Sequence, residues 1–81
     1  MIYYTYVIKS LKDGSLYKGH CEDLQRRLKQ HNAGETQSIR SKTPFEIIYT
    51  EEFSTSEDAI SRKKYFKSAA GRKFLKSKLI L

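Results

Sequence analysis

Aromatic and β-branched side chains dominate residues 3–10 (YYTYVIKS), the composition that fits a pleated, half-buried surface and so predicts a strand. Asp13-Gly14 can supply the positive φ angles of a two-residue hairpin turn, and residues 16–21 (LYKGHC) then form the second strand. With that turn, Ser10 pairs with Tyr17, Ile8 with Gly19 and Tyr6 with Cys21. Side chains alternate along a strand, so Tyr6, Ile8, Ser10, Tyr17, Gly19 and Cys21 share one face. A longer period follows. Asp23 caps a helix running to about Asn32, Leu24 and Leu28 mark its buried stripe, and Ala33-Gly34 stops it. Arg27 and His31 lie one turn apart on a flank of that stripe.

Residues 34–43 have no clear period and many hydroxyls, which predicts a loop. Pro44 ends it, and residues 45–53 read as a third strand. Phe45, Ile47 and Tyr49 alternate there against Glu46, Ile48 and Thr50, with enough apolar residues to be buried on both faces for part of its length. Ser54 and Glu57 have capping-box spacing for a helix whose inward residues are Ala59, Ile60 and Phe66. Lys63 falls on the same inward side. Ala69-Ala70-Gly71 breaks this helix, and a final basic segment carries Phe74, Leu75 and Leu79, with 79–81 as an apolar end that packs down or frays. The predicted fold class is α+β: a three-stranded antiparallel sheet flanked by helices, in the order β-hairpin, helix, strand and two C-terminal helices.

Eighty-one residues make a single domain, 1–81, with no room for a second core. No run is apolar enough to span a membrane, and Met1 leads straight into strand residues, without the basic and apolar regions of a secretory signal. The single cysteine excludes an internal disulfide, and with two histidines it makes no zinc pattern; a reducing, cytoplasmic location is expected. Charge changes the picture more. Sixteen Lys and Arg against nine Asp and Glu give +7, an excess that favours a polyanionic partner, nucleic acid first among them. The basic residues are scattered rather than lined beside an amphipathic apolar face, which disfavours a membrane surface.

The hairpin face is the place to look for chemistry. Tyr6 and Tyr17 would stand roughly 13 Å apart along the strands, leaning over Gly19, where a ligand could sit against bare backbone. The plain alternative is that both tyrosines belong to the core or its rim. Arg27 has a plain alternative too, a snorkelling helix-edge arginine.

The spacing of these residues carries more information than any one of them. Tyr4-Thr5-Tyr6 is followed after ten residues by Tyr17-Lys18-Gly19, and Arg27 lies ten beyond Tyr17. This resembles the GIY-YIG nuclease superfamily, and in particular its small stand-alone bacterial members. Only the tyrosine of the first tripeptide is kept, since Tyr4 stands for the glycine. The resemblance implies divalent-metal-assisted hydrolysis of a phosphodiester. Tyr6 and Tyr17 would be the phenols at the water and phosphate, Arg27 the phosphate clamp and His31 a second polar group on its helix, with Gly19 in a structural role. Lys18, Arg26, Arg40, Lys42 and Lys67 are candidates to contact the nucleic-acid backbone, DNA ahead of RNA.

The same resemblance exposes a break. The family holds Mg²⁺ or Mn²⁺ through a helical glutamate, and an ungapped alignment of residues 59–68 puts Lys63 in that place. Glu57 is six positions earlier on another turn and does not substitute for it. An ammonium repels a hard divalent cation rather than binding it. Three readings follow: a domain that grips nucleic acid and cuts poorly or not at all, an active nuclease with an altered or metal-independent site, or a non-catalytic structural or protein-interaction domain.

Overall fold

The computed structural model describes residues 1–79; Ile80 and Leu81 lie outside the described residues. Strand β1 (Tyr3–Ser10) is central in an antiparallel sheet of order β2-β1-β3, with β2 (Leu16–Cys21) and β3 (Phe45–Phe53) on its flanks. Its middle residues, Thr5 to Ile8, are buried because both faces of the strand are covered. Helix α1 (Leu24–Asn32) and a 3-10 helix (Gln37–Lys42) cover the face bearing Tyr6 and Ile8. Helices α2 (Ser56–Lys67) and α3 (Ala69–Leu79) cover the face bearing Val7. Thr5 tolerates complete burial on that side because its hydroxyl donates to the carbonyl of Ala59 at 2.7 Å. The α+β class and order of elements are as expected from the sequence.

The hairpin register is not. Tyr6 pairs with Gly19, Ile8 with Tyr17 and Lys9 with Leu16, a slip of two residues from the expected pairing. Asp13-Gly14 is not a two-residue turn; the loop spans residues 11–14 and closes through a bond from the Ser10 N–H to the Ser15 carbonyl. The physical reason is Ser10. Its buried Oγ accepts from the N–H groups of Lys12 and Asp13 at 3.1 and 3.2 Å while donating to the carbonyl of Lys42 at 2.6 Å. Those bonds reward a longer loop over the tight one. Gly14 still takes the left-handed conformation, at φ 78°. An even slip keeps every side chain on its expected face, so the shared face survives. It shortens the offset between Tyr6 and Tyr17 to roughly 7 Å.

Two further expectations fail for local reasons. In β3, Val7 pairs with Tyr49 and Ile8 with Ile47, so Ile48 is the extra residue of a bulge. Phe45 and Ile47 therefore pack toward α1, whereas Tyr49 joins Ile48 on the other side, breaking the predicted alternation. At α2 the cap is Thr55, which accepts from the N–H of Asp58 at 3.2 Å; Ser54 does not take that role. The chain turns at Ser68, not at Ala69-Ala70-Gly71, and Gly71 is buried inside α3. Within the expected loop, the 3-10 helix arises to bury Ile39 against Tyr6, Ile8 and Phe45.

Candidate functional site

The register explains Gly19. A methyl group there would overlap the hydroxyl end of Tyr6, because the Tyr6 ring lies across the neighbouring strand at the position opposite it. The gap over the glycine is thus filled by Tyr6 itself, and no ligand sits against bare backbone there. This corrects the expected open bowl between two phenols. The crossing carries the Tyr6 hydroxyl to His31 Nε2, at 2.7 Å, and His31 Nδ1 in turn meets the Thr36 hydroxyl at 2.6 Å. Tyr17 packs edge-on against the same imidazole, with ring centroids 5.3 Å apart. His31 is fully buried, yet both of its ring nitrogens are partnered.

Burial pushes the Tyr6 phenol up to about 12, against a smaller downward pull from the Arg27 guanidinium beside it. Burial also lowers the His31 imidazole from its usual value, and Arg27 lowers it further. At neutral pH, then, Tyr6 is protonated and His31 uncharged. One ring nitrogen donates and the other accepts, so the Tyr6–His31–Thr36 chain can run in either direction by a change of tautomer. This is a polar relay within the sheet's α1 face. The phenol and imidazole stand behind a cation that does reach solvent.

That cation is Arg27. It is exposed on α1, donates from one guanidinium nitrogen to Gln30 Oε1 at 3.2 Å, and borders a groove of about 390 Å³ at the end of the sheet. Tyr3, His20, Cys21, Arg26 and Ser56 also line the groove, together with Glu22 and Asp23. Asp23 is already committed as the α1 cap, accepting from the N–H of Arg26 at 3.1 Å. Cys21 is partly buried against the core and its thiol is pushed up, by burial first.

Lys63 belongs to the other side of the sheet. It is half-buried on α2, and burial followed by repulsion from Lys67 and Lys64 lowers its ammonium. Burial also lowers the His20 imidazole on edge strand β2, and Lys63 and Arg27 lower it further. His20 thus feels both cations, Lys63 from α2 and Arg27 from α1, and it shares the groove with Arg27. Among the described residues, no group of three His, Cys, Asp or Glu side chains is placed to hold a metal ion. With an ammonium at the position in question and further lysines around it, the donor set does not fit Mg²⁺ or Mn²⁺.

The remaining candidates divide by position. Arg26 joins the groove beside Arg27. Lys18 and Lys67 lie together on the α2–α3 side of β2, with Arg72. Arg40 and Lys42 are apart from all of these, on the 3-10 helix; Lys42 acts on Asp13 in the hairpin loop. Sequence reasoning missed Thr36 and His20. A threonine in a hydroxyl-rich loop carries no signal of its own. His20 was visible as the strand residue pointing away from Tyr17 and Gly19, toward the helix bearing Lys63.

Residues 2–76 match the GIY-YIG catalytic domain. The chain is 35% identical over 75 residues to a UPF0213 protein of Staphylococcus saprophyticus, covering 91% of this chain and 90% of that one. It is 39% identical over 67 residues to a UPF0213 protein of Haloquadratum walsbyi, covering 82% and 74% of the two chains. The solution NMR structure of a UPF0213 protein from Bacillus halodurans superposes with a TM-score of 0.55 at 32% identity, covering 95% of this chain and 84% of that one.

Proposed function

The chain belongs to the GIY-YIG family, a nuclease-type domain, and from that premise we propose that it grips a nucleic-acid backbone through Arg27 without hydrolysing it. The observation carrying this reading is Lys63, half-buried on α2 where the family's metal-holding carboxylate is expected, with no group of acidic or imidazole ligands among the described residues. Where the family reaction needs a carboxylate to hold a divalent cation, this site presents positive charge from both sides. A phosphodiester is attracted to it; a metal ion is repelled.

The residues then have separate tasks. Arg27 offers a planar fork to two phosphate oxygens. Tyr17, the more exposed phenol, packs against the His31 imidazole on the same face. Tyr6 and His31 do not meet the phosphate directly; burial and then Arg27 keep the imidazole neutral behind the guanidinium, and its bonds to Tyr6 and Thr36 hold it in place. Lys63 adds a counter-charge, but an ammonium coordinates neither an attacking water nor a leaving oxygen as a metal would.

The test is a nicking assay on supercoiled plasmid with Mg²⁺ or Mn²⁺, beside gel retardation at low and high salt. The wild type is expected to retard DNA at low salt, to release it as salt rises, and to leave the plasmid intact. Lys63→Glu is expected to gain metal-dependent nicking, on the order of 10³-fold above the wild type. Metal-dependent cutting by the wild type would overturn the proposal. Cutting that persists in EDTA would overturn it too, and would make Lys63 the counter-charge of a metal-independent reaction.

A further inference from the structure

We infer that a nucleic-acid strand held at Arg27 continues along the outer edge of β2 to a second phosphate seat formed by Lys18, Arg72 and Lys76. This rests on the reading that the chain binds nucleic acid, and it adds the path of the strand. Strand β2 is an edge strand, so one side of its backbone has no neighbouring strand. Cations gather at two stations along it. At His20 the charges of Arg27 and Lys63 converge. At Lys18, two residues earlier on the same face, those of Arg72 and Lys67 converge.

The second station is a cleft of about 260 Å³ between β2 and α3, lined by Leu16, Lys18, Arg72, Leu75 and Lys76. Lys18 is half-buried there among like charges. Among the described residues the one ion pair is Arg62 with Glu51, at 2.7 Å, so no carboxylate neutralises this cluster. Gathering cations without counter-charge costs stability, and an anion supplied from outside relieves the repulsion. Lys18 and His20, the strand residues at the two stations, are about 7 Å apart along β2, at roughly 3.3 Å per residue. Successive phosphates of one strand advance about 3.4 Å along the duplex axis and lie further apart along the winding backbone, so the two stations fall to neighbouring phosphates. A chain of regularly spaced phosphates meets both stations together; an isolated anion meets one. Leu16 and Leu75 give the second seat an apolar floor, on which a sugar or base edge can rest.

The experiment is fluorescence anisotropy with a labelled twelve-nucleotide single strand and the matching duplex, across a salt series. It uses the wild type, Arg27→Gln and the triple variant Lys18→Gln, Arg72→Gln, Lys76→Gln. Each neutralised phosphate contact contributes about 0.7 to 0.9 to the slope of log affinity against log salt. The triple variant is expected to lose about 2 from that slope while keeping the wild-type circular dichroism and melting no lower than the wild type, since the repulsion among the cations is relieved. Arg27→Gln is expected to weaken binding and leave the second-seat contribution intact. Should the triple variant unfold, Lys76→Gln on the exposed face of α3 is read instead, with an expected loss of just under 1.

A triple variant with the wild-type slope overturns the second seat and leaves the first reading standing. Polyglutamate competing as well as the oligonucleotide at equal charge also overturns it, and points to an acidic protein. A wild type that binds neither oligonucleotide removes both proposals.

Discussion

The two faces of this sheet are built on opposite plans, although the same strand feeds both. On the α2–α3 face the core is aromatic and the polar groups packed against it are tied off. Phe66 and Phe74 stack with rings 9° from parallel, and the Arg62 guanidinium lies 4.8–4.9 Å from the centroids of Tyr65, Phe66 and Phe74. Arg62 is then locked to Glu51, which also accepts from the Tyr49 hydroxyl at 2.6 Å. On the α1 face, one short helix and a 3-10 helix cover a core that includes a phenol and an imidazole in a hydrogen-bond chain, with an exposed arginine at its edge. One face holds the domain together; the other keeps polar side chains in a fixed arrangement beside solvent. The lesson is that a small domain can bury a polar relay in one face when the other supplies the packing.

The two buried glycines make the difference testable. A methyl at Gly71 would overlap the backbone carbonyl of Tyr65, at the closest approach of α3 to α2. Backbone cannot swing away, so Gly71→Ala is expected to cost about 3 kcal/mol or more in urea denaturation, the largest effect on either face. A methyl at Gly19 meets the ring of Tyr6 instead, and a side chain can move. Gly19→Ala is therefore expected to cost less, about 1–3 kcal/mol, while disturbing the Tyr6–His31 bond and weakening DNA retention. If Gly19→Ala proves as disruptive to stability as Gly71→Ala, the division between a packing face and a chemical face fails.

A smaller effect separates the arginines of the two faces. Arg62 and Glu51 are each partly exposed, with side chains 30% and 21% accessible, so solvent screens part of their attraction. Glu51→Ala is expected to lower stability by about 1–2 kcal/mol without changing DNA binding, because Arg62 keeps its aromatic stack but loses two charge-assisted bonds. Arg27→Gln should do the reverse in the same pair of assays. It should release DNA at lower salt and leave the unfolding free energy within about 0.5 kcal/mol of the wild type.

Much of this was legible in the chain. Tyr6, Tyr17, Arg27 and His31 are brought to one face, as strand alternation and helical spacing require, and Lys63 sits half-buried on the inward side of α2. What could not be read were the features set by side chains competing for backbone groups. Ser10 lengthens the hairpin loop by satisfying two N–H groups, which moves Gly19 opposite Tyr6 and closes the expected bowl. A bulge at Ile48 turns Tyr49 to the far face. Gly71 reads as a helix breaker from composition, yet it is there because two helices touch. In each case the local signal was present, but its meaning was fixed by a partner distant in sequence.

The smallest effect needs no substitution to be seen. His31 is neutral in the folded protein because burial, and then Arg27, lower its imidazole below the usual 6.5. Its hydrogen-bond partners are the hydroxyls of Tyr6 and Thr36, and no carboxylate is among them. Between the lowered folded value and 6.5 the unfolded chain binds the extra proton, so stability is fully present above that window and declines as pH falls through it. His20 is lowered as well, by burial and then by Lys63 and Arg27, so the two imidazoles must be separated. Proton NMR titration of the ring protons separates them, with His20→Gln identifying the His31 resonance. The expected result is a His31 midpoint below that of free imidazole, and a melting temperature that falls with pH in His20→Gln but much less in His31→Gln. A His31 midpoint at or above 6.5 would mean that the imidazole carries charge beside Arg27 at little cost. The α1 face would then be open to solvent, and the neutral relay assigned to it would be wrong.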